Sequence, residues 1–263
     1  MKIQVMASAF KRIVCAVEYA ADTGAHHREG YNAIHLRVND GRLDATATDG
    51  FRIACETLEM SRASDVPTFG IEAKMLRKAA NACARGRAHE MVDLEIISGN
   101  LVDELRMMVS GEEHRLPIIT RFDLYTKLID GNSCNFTAPT CVIDPVSAIA
   151  AIGKRDKDAW LRIVATPRTN AAPGWMSIRE KRTSTSVTAA TSVYYETIME
   201  IAPITFFELP DATFADVNAR WFLDALKATK GRDECFLGID NRRGVRITTN
   251  DDALHQIVPM QNK

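Results

Sequence analysis

Apolar and polar positions along the chain change period in the same order four times. Residues 31–38 (Tyr-Asn-Ala-Ile-His-Leu-Arg-Val) alternate, which predicts a strand with one buried face. Asn39-Asp40-Gly41 then offers a tight turn, because these residues tolerate positive φ. Strands over 43–48 and 51–55, joined at Asp49-Gly50, complete a three-strand antiparallel meander. Ahead of it lie a strand over 2–6 and a helix over 9–21. Ser8 can cap that helix, and Phe10, Ile13, Val14 and Val17 share one face. The second round is a strand over 68–71 and a helix over 73–84 with the stripe Met75, Leu76, Ala79, Ala80 and Cys83. Strands over 91–97, 101–109 and 114–119 follow, turning at Ser98-Gly99-Asn100 and Gly111.

A linker-like stretch over 120–137, most flexible at Asp130-Gly-Asn-Ser133, precedes the third round. That round has a strand over 141–143, then Asp144-Pro145 as an N-cap and first helical residue of a helix reaching about 153. Strands over 160–165, 175–180 and 183–190 come next, and the proline-punctuated apolar run 200–210 reads as a crossover. The fourth has a strand over 214–217, a helix capped by Asn218 and ended by Gly231, and strands over 234–239, 244–248 and 254–260. The expectation is an α+β chain of four strand-helix-meander copies, two per domain, with domains at 1–128 and 134–263. Each helix should pack on the sheet of its own copy, so that helices gather on one side of a domain and antiparallel sheets lie on the other.

Composition narrows the chemistry. The 263 residues carry a formal charge of −1 and are 46% hydrophobic, which allows large cores and excludes a grossly basic nucleic-acid binder. Six cysteines (15, 55, 83, 134, 141 and 235) show no C-x-x-C spacing, so a reducing, cytoplasmic compartment is expected. No signal peptide and no apolar run near eighteen residues is present, so no membrane partner is expected. The His26-His27 pair stands on a polar loop without neighbouring ligands, and no metal or cofactor is expected. An enzyme is the weaker class: there is no phosphate loop and no spaced Ser/His/Asp group, and the strand residues His35 and His255 read as structural.

The charge is unevenly placed. Residues 8–20, 73–87, 144–157 and 218–232 hold fourteen Lys and Arg against four acids, so these helix windows carry +10 and the remainder −11. Lys74, Arg77, Lys78 and Arg85 fall on one side of the second helix. Lys154 and Arg155 follow the third, and Arg220, Lys227 and Lys230 mark the fourth. A solvated charge run explains any one helix alone. Four helices that agree, against an acidic remainder, point to a polyanion-facing surface. No aromatic residue interleaves the stripe of the second helix, which favours sequence-blind phosphate contact with duplex over base stacking.

Several segments resemble the bacterial sliding clamp, the beta subunit of DNA polymerase III. Residues 44–54 (Asp-Ala-Thr-Ala-Thr-Asp-Gly-Phe-Arg-Ile-Ala) resemble the clamp's Thr-Asp-Gly-His-Arg-Leu-Ala signature, and Arg28-Glu-Gly-Tyr-Asn32 resembles the run before it. Residues 121–128 are similar to the interdomain linker, 218–226 to the final helix, and Ile257-Val-Pro-Met260 to the Val-Met-Pro-Met ending. The likeness covers the middle and last clamp domains only. It departs at Phe51, where His is usual, in the missing linker proline, and at Gln256 and Gln261, where an apolar residue and Arg are usual.

The resemblance implies a DNA replication processivity factor that encircles double-stranded DNA without reading sequence. With two domains per chain, a six-domain ring implies a homotrimer, with Ile152 in the apolar patch between subunits. It also implies a pocket for short peptide motifs of DNA polymerase and clamp loader. The pocket wall would be Tyr31, Thr48, Gly50, Phe51, Arg52, Ile53, Lys127, Leu128, Gln256, Val258 and Met260. Small Gly50 would leave room, and Arg52 and Lys127 would rim the site. The alternative is a DNA-associated adaptor that keeps the fold without closing a ring.

Overall fold

The structure, a computed structural model, describes residues 2–22, 24, 30–60, 66–99, 102–120, 139–153, 159–167, 174–185, 191–203, 213–232, 234–240, 244–250 and 253–257. Two compact units divide the chain, Met1–Cys134 and Asn135–Lys263. The first runs β1 (Lys2–Met6), α1 (Ala7–Val17), a 3-10 turn (Glu18–Ala20), β2 (Ala33–Asn39), β3 (Arg42–Thr48) and β4 (Arg52–Glu59). It continues with β5 (Val66–Glu72), α2 (Ala73–Ala84), β6 (Met91–Ile97), β7 (Glu104–Val109) and β8 (Glu112–Pro117). The second runs β9 (Thr140–Val142), α3 (Pro145–Ile152), β10 (Trp160–Thr166), β11 (Trp175–Thr185) and β12 (Thr191–Pro203). It ends with β13 (Thr213–Asn218), α4 (Ala219–Ala228), β14 (Cys235–Asp240), β15 (Gly244–Thr249) and β16 (Leu254–Ile257). Among the described residues, strand, helix and three-strand meander recur four times.

The copies exchange their first strands. β1 pairs with β6, giving the order β1-β6-β7-β8, and β5 pairs with β2, giving β5-β2-β3-β4. The second unit repeats the exchange: β13 pairs with β10 and β9 with β14. Every pairing is antiparallel. This exchange also starts the helices. The first amide of α1, on Ala7, donates to the Glu90 carbonyl at 2.8 Å, that of α2, on Ala73, to Asn32 at 3.0 Å, and that of α4, on Ala219, to Ala159 at 2.9 Å. Each acceptor lies just before the other copy's meander, so a backbone carbonyl serves one of the helix's orphan donors.

In each unit the two helices pack on each other, and α1 also lies on β3 and β4 of its own meander. Phe10, Ile13, Val14 and Val17 are fully buried against Leu36, Leu43, Phe69 and Leu94. Each such aliphatic or aromatic side chain contributes about 1.5–3 kcal/mol on burial. In the second unit Phe222, Leu226, Ile163, Ile178, Leu237 and Ile247 are buried in the same way.

Four expectations are corrected. Ser8 does not cap α1: it lies inside the helix, and its amide donates to the Ala88 carbonyl at 3.1 Å, so no side-chain cap is needed. Met75 is exposed rather than part of the buried stripe, because it falls at the edge of the arc set by Leu76, Ala80 and Cys83. Ile152 is wholly buried in the core and cannot form a subunit contact. The strands expected at 175–180 and 183–190, and the crossover expected from 200, are instead one long hairpin of β11 and β12. Ion pairs lie along that hairpin: Arg182 stands 2.9 Å from Glu180, two residues before it on β11, and 3.1 Å from Glu196 across on β12. The caps at Asp144 and Asn218 are as expected. Asp144 accepts from the amides of Val146 and Ser147 at 3.1 Å each, and Asn218 accepts from those of Arg220 and Trp221 at 2.9 and 3.3 Å.

Candidate peptide pocket and nucleic-acid interface

The link between β3 and β4 is held by its own side chains. Thr48 Oγ1 donates to the Arg52 carbonyl at 2.7 Å and accepts from the Gly50 amide at 3.0 Å. Asp49 accepts from the amides of Phe51 and Arg52 at 2.9 and 3.1 Å, and from Arg52 Nε at 2.8 Å. Gly50 sits at φ +90°, a conformation costly for any residue with a Cβ. A Cβ built there would meet Tyr31 Cε2 at 3.3 Å, so the tyrosine ring covers the turn. The result is a rigid loop that presents Phe51, 53% exposed, beside the nearly buried Ile53 and Thr48. An exposed aromatic ring on a fixed turn is an anchor surface for an apolar side chain.

These contacts bring Tyr31, Thr48, Gly50, Phe51, Arg52 and Ile53 to one end of the β3–β4 hairpin. Arg52, expected as a rim residue, braces the turn instead: besides its pair with Asp49, its guanidinium stands 5.3 Å from the centre of the Tyr19 ring. Asp49 and Tyr19 were not among the expected site residues. An Asp two residues before the amide it caps is a readable signal, whereas Tyr19 is distant in sequence and had none. Lys127, Leu128, Val258 and Met260 lie outside the described residues. Gln256 is described in its backbone only, where it pairs with Arg246.

On the helices, Lys74, Lys78 and Arg85 are exposed along one side of α2. Arg77 is exposed too but bonds Glu18 at 2.8 Å, which raises its pKa and offsets its charge locally. Arg220 and Lys230 are exposed at the two ends of α4, and Lys227 lies 3.6 Å from Asp224. Lys154 and Arg155 lie outside the described residues, as do His26 and His27. The outward face of α3 itself is uncharged, with Val146, Ser147 and Ala150 exposed. Arg12 on α1 reaches the fully buried Glu56 of β4 at 3.4 Å, and Arg87 forms a two-pronged pair with Glu112 at 2.6 and 2.9 Å. Part of the helix charge is therefore neutralised by partners within the chain, and the exposed cations that remain lie along α2 and at the ends of α4, with Lys11 on α1.

Among the described residues, no group of three or more His, Cys, Asp or Glu is placed to hold a metal ion. No described helix is long and apolar enough to cross a membrane. Of the described cysteines, Cys15 alone is exposed. The other four are buried, and burial pushes Cys141 up to about 12.

No protein-family model matches the chain, and no curated protein matches it in sequence. Solved structures do match. The DNA polymerase sliding clamp from Bacillus subtilis aligns at TM-score 0.73 and 17% identity, over 100% of this chain and 65% of the clamp. A putative DNA polymerase III beta subunit from Eubacterium rectale aligns at 0.72 and 15%, over 100% and 66%. The Pseudomonas aeruginosa clamp bound to griselimycin aligns at 0.73 and 15%, over the same shares. This chain spans about two thirds of the length of those clamps. From end to end, it has the α+β fold of the bacterial DNA polymerase III beta sliding clamp.

Proposed function

We propose that this protein is a DNA sliding clamp, a processivity factor that encircles duplex DNA in the cytoplasm and tethers replication proteins to it. The observation that carries the reading is the match to clamp structures over 100% of the chain, with the strand-helix-meander unit present four times. The open cations of α2 and α4 support it. Lys74, Lys78, Arg85, Arg220, Lys227 and Lys230, with Lys154 and Arg155, would face phosphates and carry no sequence information. The formal charge of −1 is then divided, with a basic helix side toward DNA and an acidic remainder away from it.

Each chain supplies two domains, so a six-domain ring takes three chains joined head to tail, a heterologous contact that closes on itself. DNA polymerase and clamp loader would dock through short peptides on the turn that carries Phe51. Tyr31, Thr48, Gly50 and Ile53 would form its wall, and Arg52 would fix the turn. A contact of that size supports a Kd of about 1 μM, or roughly −8 kcal/mol. Light scattering at micromolar concentration should give about three times the 29.2 kDa chain mass. A monomer at every concentration would remove the ring and leave a non-ring adaptor.

A further inference from the structure

His35 is on the face of β2 opposite Ile34, Leu36 and Val38, which enter the core, yet it is only 1% exposed. Its cross-strand neighbours are Gly70 on β5 and Thr46 on β3. Gly70 makes room for a lid: a Cβ there would stand 2.5 Å from the Thr120 methyl and 3.3 Å from His35 Cε1. Thr120 is tied down over this spot. Its carbonyl accepts from the Gly70 amide at 2.8 Å, and the Ile119 amide donates to the Gly70 carbonyl at 2.9 Å.

Gly30 closes the remaining side, with a backbone φ of +81°. The His35 Nε2 stands 2.8 Å from the Gly30 carbonyl, which also accepts from the Ala33 amide at 3.3 Å. A carbonyl only accepts, so His35 carries a proton on Nε2 and donates it. The next residue is Tyr31. Its own carbonyl accepts from the Asp22 amide at 2.7 Å, and its ring lies against Gly50. Two consecutive carbonyls are thus held from two sides, and the ring that follows from them covers the Phe51 turn.

We propose that His35 is a positioning residue for Tyr31: through the Gly30 carbonyl it fixes the tyrosine ring over the Asp49-Gly50 turn and so shapes one wall of the peptide pocket. This rests on the pocket reading above. A buried imidazole is costly unless hydrogen-bonded, and an aliphatic residue such as its neighbours Ile34 and Leu36 would fill the space without that cost. What the imidazole adds is a donor aimed at a loop whose glycine could otherwise move.

The test labels the protein with 3-fluorotyrosine, assigns the Tyr31 resonance through Tyr31→Phe, and compares His35→Leu with His35→Gln, which keeps an Nε2–H donor. His35→Gln should retain the wild-type Tyr31 resonance, and His35→Leu should shift or broaden it. In titrations with a hexapeptide bearing Gln and two apolar anchors, His35→Leu should bind about tenfold more weakly, the scale of one buried hydrogen bond, and His35→Gln near wild type. In a Tyr31→Ala background, His35→Leu should cost nothing further. Should His35→Leu not fold, His35→Asn, whose shorter amide is drawn away from Gly30, takes its place. An unmoved Tyr31 resonance in the variant lacking the donor, or a loss that persists in full without Tyr31, overturns the assignment. If the wild type binds no such peptide, the pocket reading falls, and the fluorine spectrum still decides whether His35 holds Tyr31.

Discussion

Replacing Gly50 by Ala separates two roles that one glycine combines. An L-residue at φ +90° costs about 1–2 kcal/mol, and the stiffer unfolded chain returns roughly 0.4–1 kcal/mol of that. The net loss of stability is then about 1 kcal/mol. Gly86 provides the control: its φ is +71°, and a Cβ there meets nothing within 4 Å. Gly86→Ala should therefore cost about the same, lowering Tm by roughly 3–6 °C as Gly50→Ala does. The difference lies at Tyr31. A Cβ on residue 50 falls 3.3 Å from Tyr31 Cε2, inside the ordinary 3.5–4.0 Å carbon contact, so the ring must give way. Peptide affinity should fall about five- to tenfold for Gly50→Ala, the scale of part of one apolar anchor, and stay unchanged for Gly86→Ala. Thermal unfolding and isothermal calorimetry on the same samples read both numbers. Equal affinity in the two variants would refute a turn shaped by Tyr31, and a stabilised Gly50→Ala would refute the strain at residue 50.

Substituting Lys74, Lys78, Arg85, Arg220 and Lys227 together by Ala should weaken DNA association about equally for all sequences. It should also flatten log K against log salt by roughly 0.9 for each phosphate that is no longer neutralised. Arg77→Ala should do less than Lys74→Ala, because Glu18 already holds Arg77 at 2.8 Å. At pH 8, thiol alkylation followed by peptide mapping should modify Cys15 and spare Cys141 until the protein unfolds. Burial raises the Cys141 pKa from 9.0 to about 12, so the folded state retains the proton longer than the unfolded one. That contribution to stability is whole below pH 9 and is lost as pH rises from 9 toward 12, and Cys141→Ala should flatten this part of a denaturation series.

The fourfold element order was legible because each meander has period two, each helix period 3.6, and Gly, Asp or Asn stands at the junctions. Asp144 and Asn218 were readable as caps because their carboxylate and amide oxygens act within three residues. Ser8 misled for a non-local reason: the helix starts earlier, at Ala7, and its first two amides, on Ala7 and Ser8, are met by the carbonyls of Glu90 and Ala88, far along the chain. The exchange of β1 and β5 between copies left no trace in periodicity, since either sheet satisfies the same alternation. The charge surplus of the helices was visible, but not its discount, because the Glu18–Arg77 and Glu112–Arg87 pairs join separate segments. At the proposed pocket, the Thr48–Ile53 stretch was singled out through its resemblance to a family signature. The brace formed by Tyr19 and Arg52, and the bond from His35 to Gly30, depend on three-dimensional proximity.

The central claim, a closed ring around duplex DNA, is tested most directly by topology. The protein is loaded with its cognate loader onto a nicked circular plasmid and separated from free protein by gel filtration at 0.2–0.5 M salt (on the order of conditions that remove phosphate-only binders). Half of the complex is then cut once with a restriction enzyme. A ring stays on the circle and slides off the linear ends, so the account predicts retention before cutting and release after it. Equal retention on circle and line, or loss from both as salt rises, would contradict encirclement.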